Sequence, residues 1–457
     1  MLMMWHRADI MKKTIKNIRS ICAAAVIVLM LGNMLCRAVP VLNEYGAPYV
    51  LAANKSTGTK NLTKSIKVKK KKGRAMTKKE AGALCSSSFK MLDTVIDSEP
   101  TDKNTLISPT SIMYAFGMAE NGAKGKTRSQ LEKSVNGGVK TSEFNKILAA
   151  TRKQMMSDKK VSWNIANSVW YRNRKDIKVK KAFLKKVKAY YGAEVYRAPF
   201  NAGTVKDINA WVKKNTKKMI PNIINNTDKS DVMYIINAIA FEGEWETPFT
   251  DKQVIENQDF TNIDGTKSKV TMLTGGESLY FELKGAYGFK KNYAGGQYSF
   301  VGIDVPEGMT PSDYVKKLSE DGGAFANALA NMKRAIVTVK FPEYELDYDV
   351  EMSDALKKLG AVNAFDKEKA NLYNMFEREK RSNYYFSAVL HKTHIEVDKK
   401  GTKAAAATAI IVNKTTSVVT DNLERIEIVL DHPFVYAIVD NKTNTPVFVG
   451  VVNKLEE

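Results

Sequence analysis

The 457-residue chain has only three cysteines and four histidines, and each scarcity excludes some chemistry. Cys22 and Cys36 lie in an N-terminal segment that reads as an export signal, so Cys85 alone is left beyond it. A single thiol supports neither an intramolecular disulfide framework nor a thiolate metal site. Stability must therefore come from packing, and Cys85, inside the helical stretch Leu84-Cys85-Ser86, is expected as a buried small hydrophobe. His391, His394 and His432 are the histidines that remain, and no Gly-x-Ser-x-Gly elbow accompanies them, which argues against a hydrolase. His391 and His394 have a metal-like spacing, but on a strand they point to opposite faces, so no metal is expected from the pair. Gly125-Lys126-Thr127 has the end of a phosphate loop, yet Glu120 stands where the leading glycine belongs, which argues against nucleotide binding. No cofactor is expected. The longest apolar run, residues 21–35, is too short to span a membrane comfortably.

What is present is basic. Lysine and arginine number 71 against 49 acids, a formal charge of +22, and they concentrate between Lys55 and Lys79. At the start, Lys12, Lys13, Lys16 and Arg19 precede the apolar run, and Cys36-Arg37-Ala38 follows it. This is the pattern of a signal peptide over residues 1–38, cut after Ala38 to release an extracellular chain; an anchored lipoprotein would want a small residue where Leu35 stands. Met11 opens such a signal by itself, so the start lies at Met1 or Met11. Residues 39–79, rich in Lys, Thr, Asn, Ser and Gly, carry too little apolar surface to offset the entropy of ordering and are expected as a basic, disordered linker. Lys69 to Lys72 offer either a polyanion contact or a merely solvated tail.

Order is expected over residues 80–457, with 44% of the whole chain hydrophobic and 26% charged, the balance of a globular domain. Ala83, Phe89, Leu92 and Val95 recur at helical spacing, and further helices are expected at 127–135, 142–156, 180–191 and 205–219. Strands are expected at 161–171, 232–241, 270–273, 298–305 and 335–341, then more densely at 384–390, 393–397, 426–430, 435–439 and 447–451. Helices early and strands late indicate an α+β fold.

One stretch fits neither pattern simply. After Val397 the chain turns polar through Asp398-Lys399-Lys400, becomes small over Gly401, Thr402, Lys403, Ala404, Ala405, Ala406, Ala407 and Thr408, then grows β-branched before a polar tip at Asn413 to Thr416. At period two, Thr402, Ala404, Ala406, Thr408 and Ile410 share one uncharged, mostly small face, while Lys403, Ala405, Ala407 and Ala409 share the other. Such a segment can enter a sheet between existing strands; an alanine-rich helix or loop is the other reading.

From about residue 79 to 455 the chain resembles the serpin family. Asn104-Thr105-Leu106-Ile107-Ser108-Pro109-Thr110-Ser111-Ile112 and Gly122-Ala123-Lys124-Gly125-Lys126-Thr127 are similar to its second helix and the turn after it. Residues 236–249, from Ile236-Asn237-Ala238 to Thr247-Pro248-Phe249, resemble its central-sheet signature. Asp354-Ala355-Leu356, Val389-Leu390-His391-Lys392, the hinge-like Gly401 to Thr408 and Asp431-His432-Pro433-Phe434 follow in the family's order. The resemblance implies three β-sheets with about nine helices and an exposed reactive-centre loop, in an exported member of bacterial type that is an inhibitor and no enzyme. A serine protease cleaves the loop, is held as an acyl-enzyme, and is trapped when the hinge inserts into a strained central sheet. Gly401 then takes the hinge glycine, and the scissile bond falls between Thr415 and Thr416, or after Lys414 if the frame slips. Thr415 suits elastase-like or subtilisin-like enzymes and Lys414 a trypsin-like one. Ser108, Ser111, Asn237 and His391 match the polar shutter beneath the sheet, and Trp245 the breach where insertion begins; each is also readable as ordinary core. Lys399, Lys400 and Lys403 stand where many members carry acids. The implied molecule acts as a monomer. The alternatives are a non-inhibitory binding member and a polyanion-binding surface protein.

Overall fold

The computed structural model describes residues 41–42, 48–49, 58–69, 71–377, 384–402 and 423–456. Residues 1–56 form one unit, in which strands β1 (Val41–Leu42) and β2 (Pro48–Tyr49) pair antiparallel; residues 57–457 form the other. The expected signal peptide, residues 1–38, lies outside the described residues.

The larger unit begins with β3 (Lys60–Asn61), helix α1 (Lys78–Ile96) and β4 (Thr105–Ile107). Helices α2 (Pro109–Gly122), α3 (Gly125–Ser134) and α4 (Thr141–Ser157) follow, then β5 (Val161–Arg172), α5 (Lys181–Tyr191), β6 (Glu194–Ala198) and α6 (Ala202–Asn215). Next come β7 (Met233–Glu244), β8 (Val254–Thr261), β9 (Lys267–Leu283), β10 (Ala286–Asn292) and β11 (Tyr298–Asp304). Helices α7 (Pro311–Glu320) and α8 (Gly322–Ala330) precede β12 (Lys333–Pro342), β13 (Tyr344–Glu351) and α9 (Ser353–Lys358). The chain ends with β14 (Ala388–Val397), β15 (Gly401–Thr402), β16 (Arg425–Val429), β17 (Phe434–Asp440) and β18 (Thr445–Val452).

The central sheet has seven strands in the order β13-β14-β15-β7-β5-β6-β3. A nine-stranded path, β16-β12-β9-β10-β11-β17-β18-β4 with β8 beside β9, backs onto it. The 17-residue β9 runs through two parts of that path, pairing β8 and β12 along one stretch and β10 at its end, so the second and third expected sheets are hydrogen-bonded into one.

Local chemistry explains the helices that frame the site. Thr77 caps α1 in a capping box with Glu80, whose carboxyl Arg74 holds down at about 2. Ser108 caps α2 by accepting from the Ser111 N–H, and Pro109 takes the first turn, where no N–H is needed. Every residue of α2 is buried, so it is a core helix with no solvent face. Cys85 is fully buried in α1, and burial pushes its thiol up to about 12, far from reactive. Strand β7 is buried along both faces: Met233, Ile235, Ile239 and Phe241 face the main core, while Tyr234, Ile236 and Ala238 pack under α6 with Ile208 and Val212.

The expectation of a solvated linker over residues 39–79 fails for its second half. Lys60 and Asn61 pair with Arg197 and Tyr196 at the open edge of β6, and the Leu62 N–H donates to the Val195 carbonyl at 2.8 Å. Lys188 Nζ donates to the Thr63 carbonyl, the Lys71 N–H to that of Ala189, and the Arg74 N–H to that of Lys146. Gly73 runs so close to α4 that an added Cβ would sit 2.3 Å from the Ala150 nitrogen. Composition missed this because the segment is ordered through backbone pairing at a sheet edge and three apolar anchors, Leu62, Ile66 and Met76.

Candidate functional site

The site lies where the segment expected as a hinge enters the central sheet and in the polar cluster below. Asp398 makes the turn: its Oδ1 accepts from the N–H groups of Lys400 (2.7 Å) and Gly401 (2.8 Å), the local bonding that Asp offers in turns. The chain then re-enters the sheet as β15. Gly401 and Thr402 pair antiparallel with Glu244 and Gly243 of β7, and Thr402 pairs with Val397 of β14. Below them β14 and β7 are direct neighbours, parallel, with His391 opposite Asn237. Gly401 and Thr402 thus stand between β14 and β7, which pair directly further along.

Both residues fit closely. A Cβ on Gly401 would lie 2.1 Å from the Gly243 carbonyl oxygen and 2.7 Å from Glu244 Cα, a backbone approach that only glycine permits. Thr402 is buried, and its Oγ1 lies 2.5 Å from the Tyr293 hydroxyl. Tyr293 stacks on Trp245, with ring centroids 4.7 Å apart and planes 13° from parallel. Trp245 Nε1 donates to the Asp398 carbonyl at 2.9 Å and its N–H to the Lys400 carbonyl at 2.8 Å. Lys399 reaches Asp251 at 2.8 Å.

The polar cluster is built on α2. The Ser108 N–H donates to His391 Nε2 at 3.0 Å and Ser108 Oγ donates to the Val447 carbonyl at 2.7 Å. His391 is buried on β14, and desolvation pulls its pKa down to about 3, so the ring is neutral. With Nε2 accepting, the ring proton sits on Nδ1. Asn237 Nδ2 donates to Asn167 Oδ1 at 2.5 Å, and Thr393 Oγ1 to the Leu106 carbonyl at 3.0 Å. Three buried atoms here have no partner among the described residues: Ser111 Oγ, Asn237 Oδ1 and His391 Nδ1. Buried polar atoms take a hydrogen bond where one is within reach, so these three are available to a further donor or acceptor brought into the cluster.

Of the residues singled out from sequence, Ser108, Ser111, Asn237 and His391 come together, and Trp245 lies beside Gly401 and Thr402. Lys403, Ala404, Ala405, Ala406, Ala407, Thr408, Lys414, Thr415 and Thr416 lie outside the described residues, as does Lys70; Lys69, Lys71 and Lys72 are exposed. Sequence reasoning missed Tyr293, Asn167 and Thr393, whose roles exist only through strand pairing. Asp398 was within reach, since Asp-Lys-Lys-Gly is a turn signature.

Comparison with known proteins gives the class. The family described as Serpin (serine protease inhibitor) matches residues 83–455, and this chain belongs to it. Mouse neuroserpin is 28% identical over 379 residues, covering 77% of this chain and 86% of that protein. Human glia-derived nexin is 29% identical over 384 residues, covering 81% and 92%. Among solved structures, tengpin, a thermophilic serpin, matches in its native state with a TM-score of 0.79 at 36% identity over 87% of this chain and all of that one. Tengpin in its latent state matches at 0.70 and 34% identity, over 84% of this chain and all of that one. The family is one of protease inhibitors and not of enzymes, although thyroxine-binding globulin, seen with thyroxine, shares the fold at 21% identity.

Proposed function

We propose that the protein is an extracellular suicide substrate for a serine protease. The protease serine attacks the Thr415 carbonyl, the Thr416 amine leaves, and an ester joins loop to enzyme. The freed hinge then continues β15 down between β14 and β7, carrying the protease with it before water can cleave the ester.

The observation that carries this reading is the register of β15. Thr402 opposes Gly243 and Val397, and both neighbours run antiparallel to it. Six residues further, from 402 to 408, the same register moves from 243 to 237 and from 397 to 391. Thr408 would arrive between Asn237 and His391, on the inward face it shares with Thr402. Its hydroxyl can donate to Asn237 Oδ1 and accept from His391 Nδ1–H, two of the three atoms without partners. On insertion the same register would set Lys403 between Glu242 and Glu396 on the outer face, so the lysine that departs from the family's usual acids would meet acids there.

Incubation with subtilisin-like, elastase-like and trypsin-like proteases tests the proposal. A denaturant-resistant complex with one of the first two, and a released C-terminal peptide beginning at Thr416, is the expected result. Cleavage with no complex would favour a non-inhibitory binding protein.

A second reading rests on the basic strap. Lys64, Lys67, Lys69, Lys71 and Lys72 are exposed and run beside α5, whose sequence holds Lys181, Lys185, Lys186 and Lys188 and no acid. This surface suits a polyanion, and retention on a sulfated polysaccharide that falls steeply with salt would support it.

A further inference from the structure

Strand β13 alternates buried and exposed residues so that Glu345, Asp347, Asp349 and Glu351 all stand on its outer, solvent-facing side. Its register on β14 puts His394 opposite Asp347 and Glu396 opposite Glu345. The His394 side chain is 5% exposed, whereas Glu345 and Asp347 are 63% and 64% exposed. His394 Nδ1 lies 3.0 Å from Asp347 Oδ1 and 3.9 Å from Glu345 Oε1, and the three atoms all lie within 4.8 Å of one another. An ion bound tetrahedrally by nitrogen and carboxylate oxygens at about 2.0 to 2.2 Å needs its ligand atoms about 3.4 Å apart. The two separations to Nδ1 bracket that value, so side-chain rotations of the exposed carboxylates suffice to close the site around a buried, fixed imidazole. One nitrogen and two carboxylates suit a borderline transition ion better than Mg2+ or Ca2+, which prefer oxygen alone.

We propose that Glu345, Asp347 and His394 form a binding site for a divalent transition ion of the Zn2+ class, clamping the edge strand β13 to β14. Coordination uses the Nδ1 lone pair, so a proton carried on Nδ1 must pass to solvent or to Nε2 as the ion binds. The clamp lies on the far side of β14 from β7. It therefore stiffens the β13–β14 pair and leaves untouched the seam that a loop would open. The proposal is independent of protease inhibition and stands or falls separately.

Calorimetric titration of the untagged, chelator-stripped full chain with Zn2+ tests it, with Co2+ absorption as a second readout. One saturable ion per chain is expected, with a rise in melting temperature. Asp347→Asn and Glu345→Gln, both isosteric and largely exposed, should each weaken binding about 10-fold or more and reduce the ion-induced rise in melting temperature. Asp349→Asn, next in the same acidic column, should bind as the wild type does. Absence of saturable uptake, unchanged affinity in Asp347→Asn and Glu345→Gln, or equal weakening by Asp349→Asn would each overturn the site, the last by showing that diffuse negative charge attracts the ion.

Discussion

Of the residues proposed as the hinge, Thr402 is the first whose side chain turns into the core, where it meets Tyr293, the ring stacked on Trp245. The place is buried and admits a short hydroxyl. Thr402→Arg would bury a guanidinium without a partner, so the hinge would stay outside the sheet and the loop would be cut as an ordinary substrate. Gel analysis should show loss of stable complex with cleavage retained; complex at wild-type yield would contradict the insertion mechanism. His391 makes the polar cluster sensitive to acid. Its pKa is about 3 folded against the ordinary 6.5 unfolded, so the unfolded chain takes the proton first as pH falls. The stability that the neutral ring contributes above pH 6.5 is therefore lost as pH drops from 6.5 toward 3. His391→Gln, which keeps an acceptor for the Ser108 N–H, should flatten part of the fall in melting temperature between pH 6.5 and 4. An unchanged slope would show that other groups carry all of it. At this scale the sequence was readable where chemistry is local, as in Cys85 or the Asp398 turn. It was unreadable where two strands bring distant residues together: His394 was judged against His391 three places away, although its neighbours at the surface are Glu345 and Asp347 on another strand.

Elements were legible wherever one periodicity dominated. The helices expected at 127–135, 142–156, 180–191 and 205–219 overlap α3, α4, α5 and α6. The strands read at 161–171, 232–241 and 298–305 match β5, β7 and β11. The runs read separately at 384–390 and 393–397 meet in the single strand β14, because the polar His391-Lys392 pair, which looked like a break, serves the cluster beneath the sheet. Strand β13 was passed over despite its strict alternation, since Asp and Glu are poor strand formers and its outer face holds nothing else. Register carries the functional content. If β15 extends as proposed, Thr408→Val keeps the shape and removes the hydroxyl that would reach Asn237 and His391. The variant should form complex in lower yield, with more of it turned over as substrate, while the uncut protein melts as before. Equal yield would mean that the polar cluster is not completed by residue 408.

For the whole molecule, the question is where the energy for insertion would come from. Each added residue gains a hydrogen bond worth about 1 kcal/mol net and loses about 1 to 2 kcal/mol of backbone entropy, so strand addition alone does not drive the change. The drive would have to come from apolar burial along the inward face, with the hydrogen bonds that Thr408 would bring to Asn237 and His391 adding to it. The folded chain would then be a trapped state with a lower one open to it after a single cut. The direct measurement is thermal unfolding of the protein before and after one nick near Thr415. Stored energy predicts that the nicked chain, still holding its C-terminal peptide, melts far above the intact one. Equal melting temperatures, or a lower one after cleavage, would contradict it.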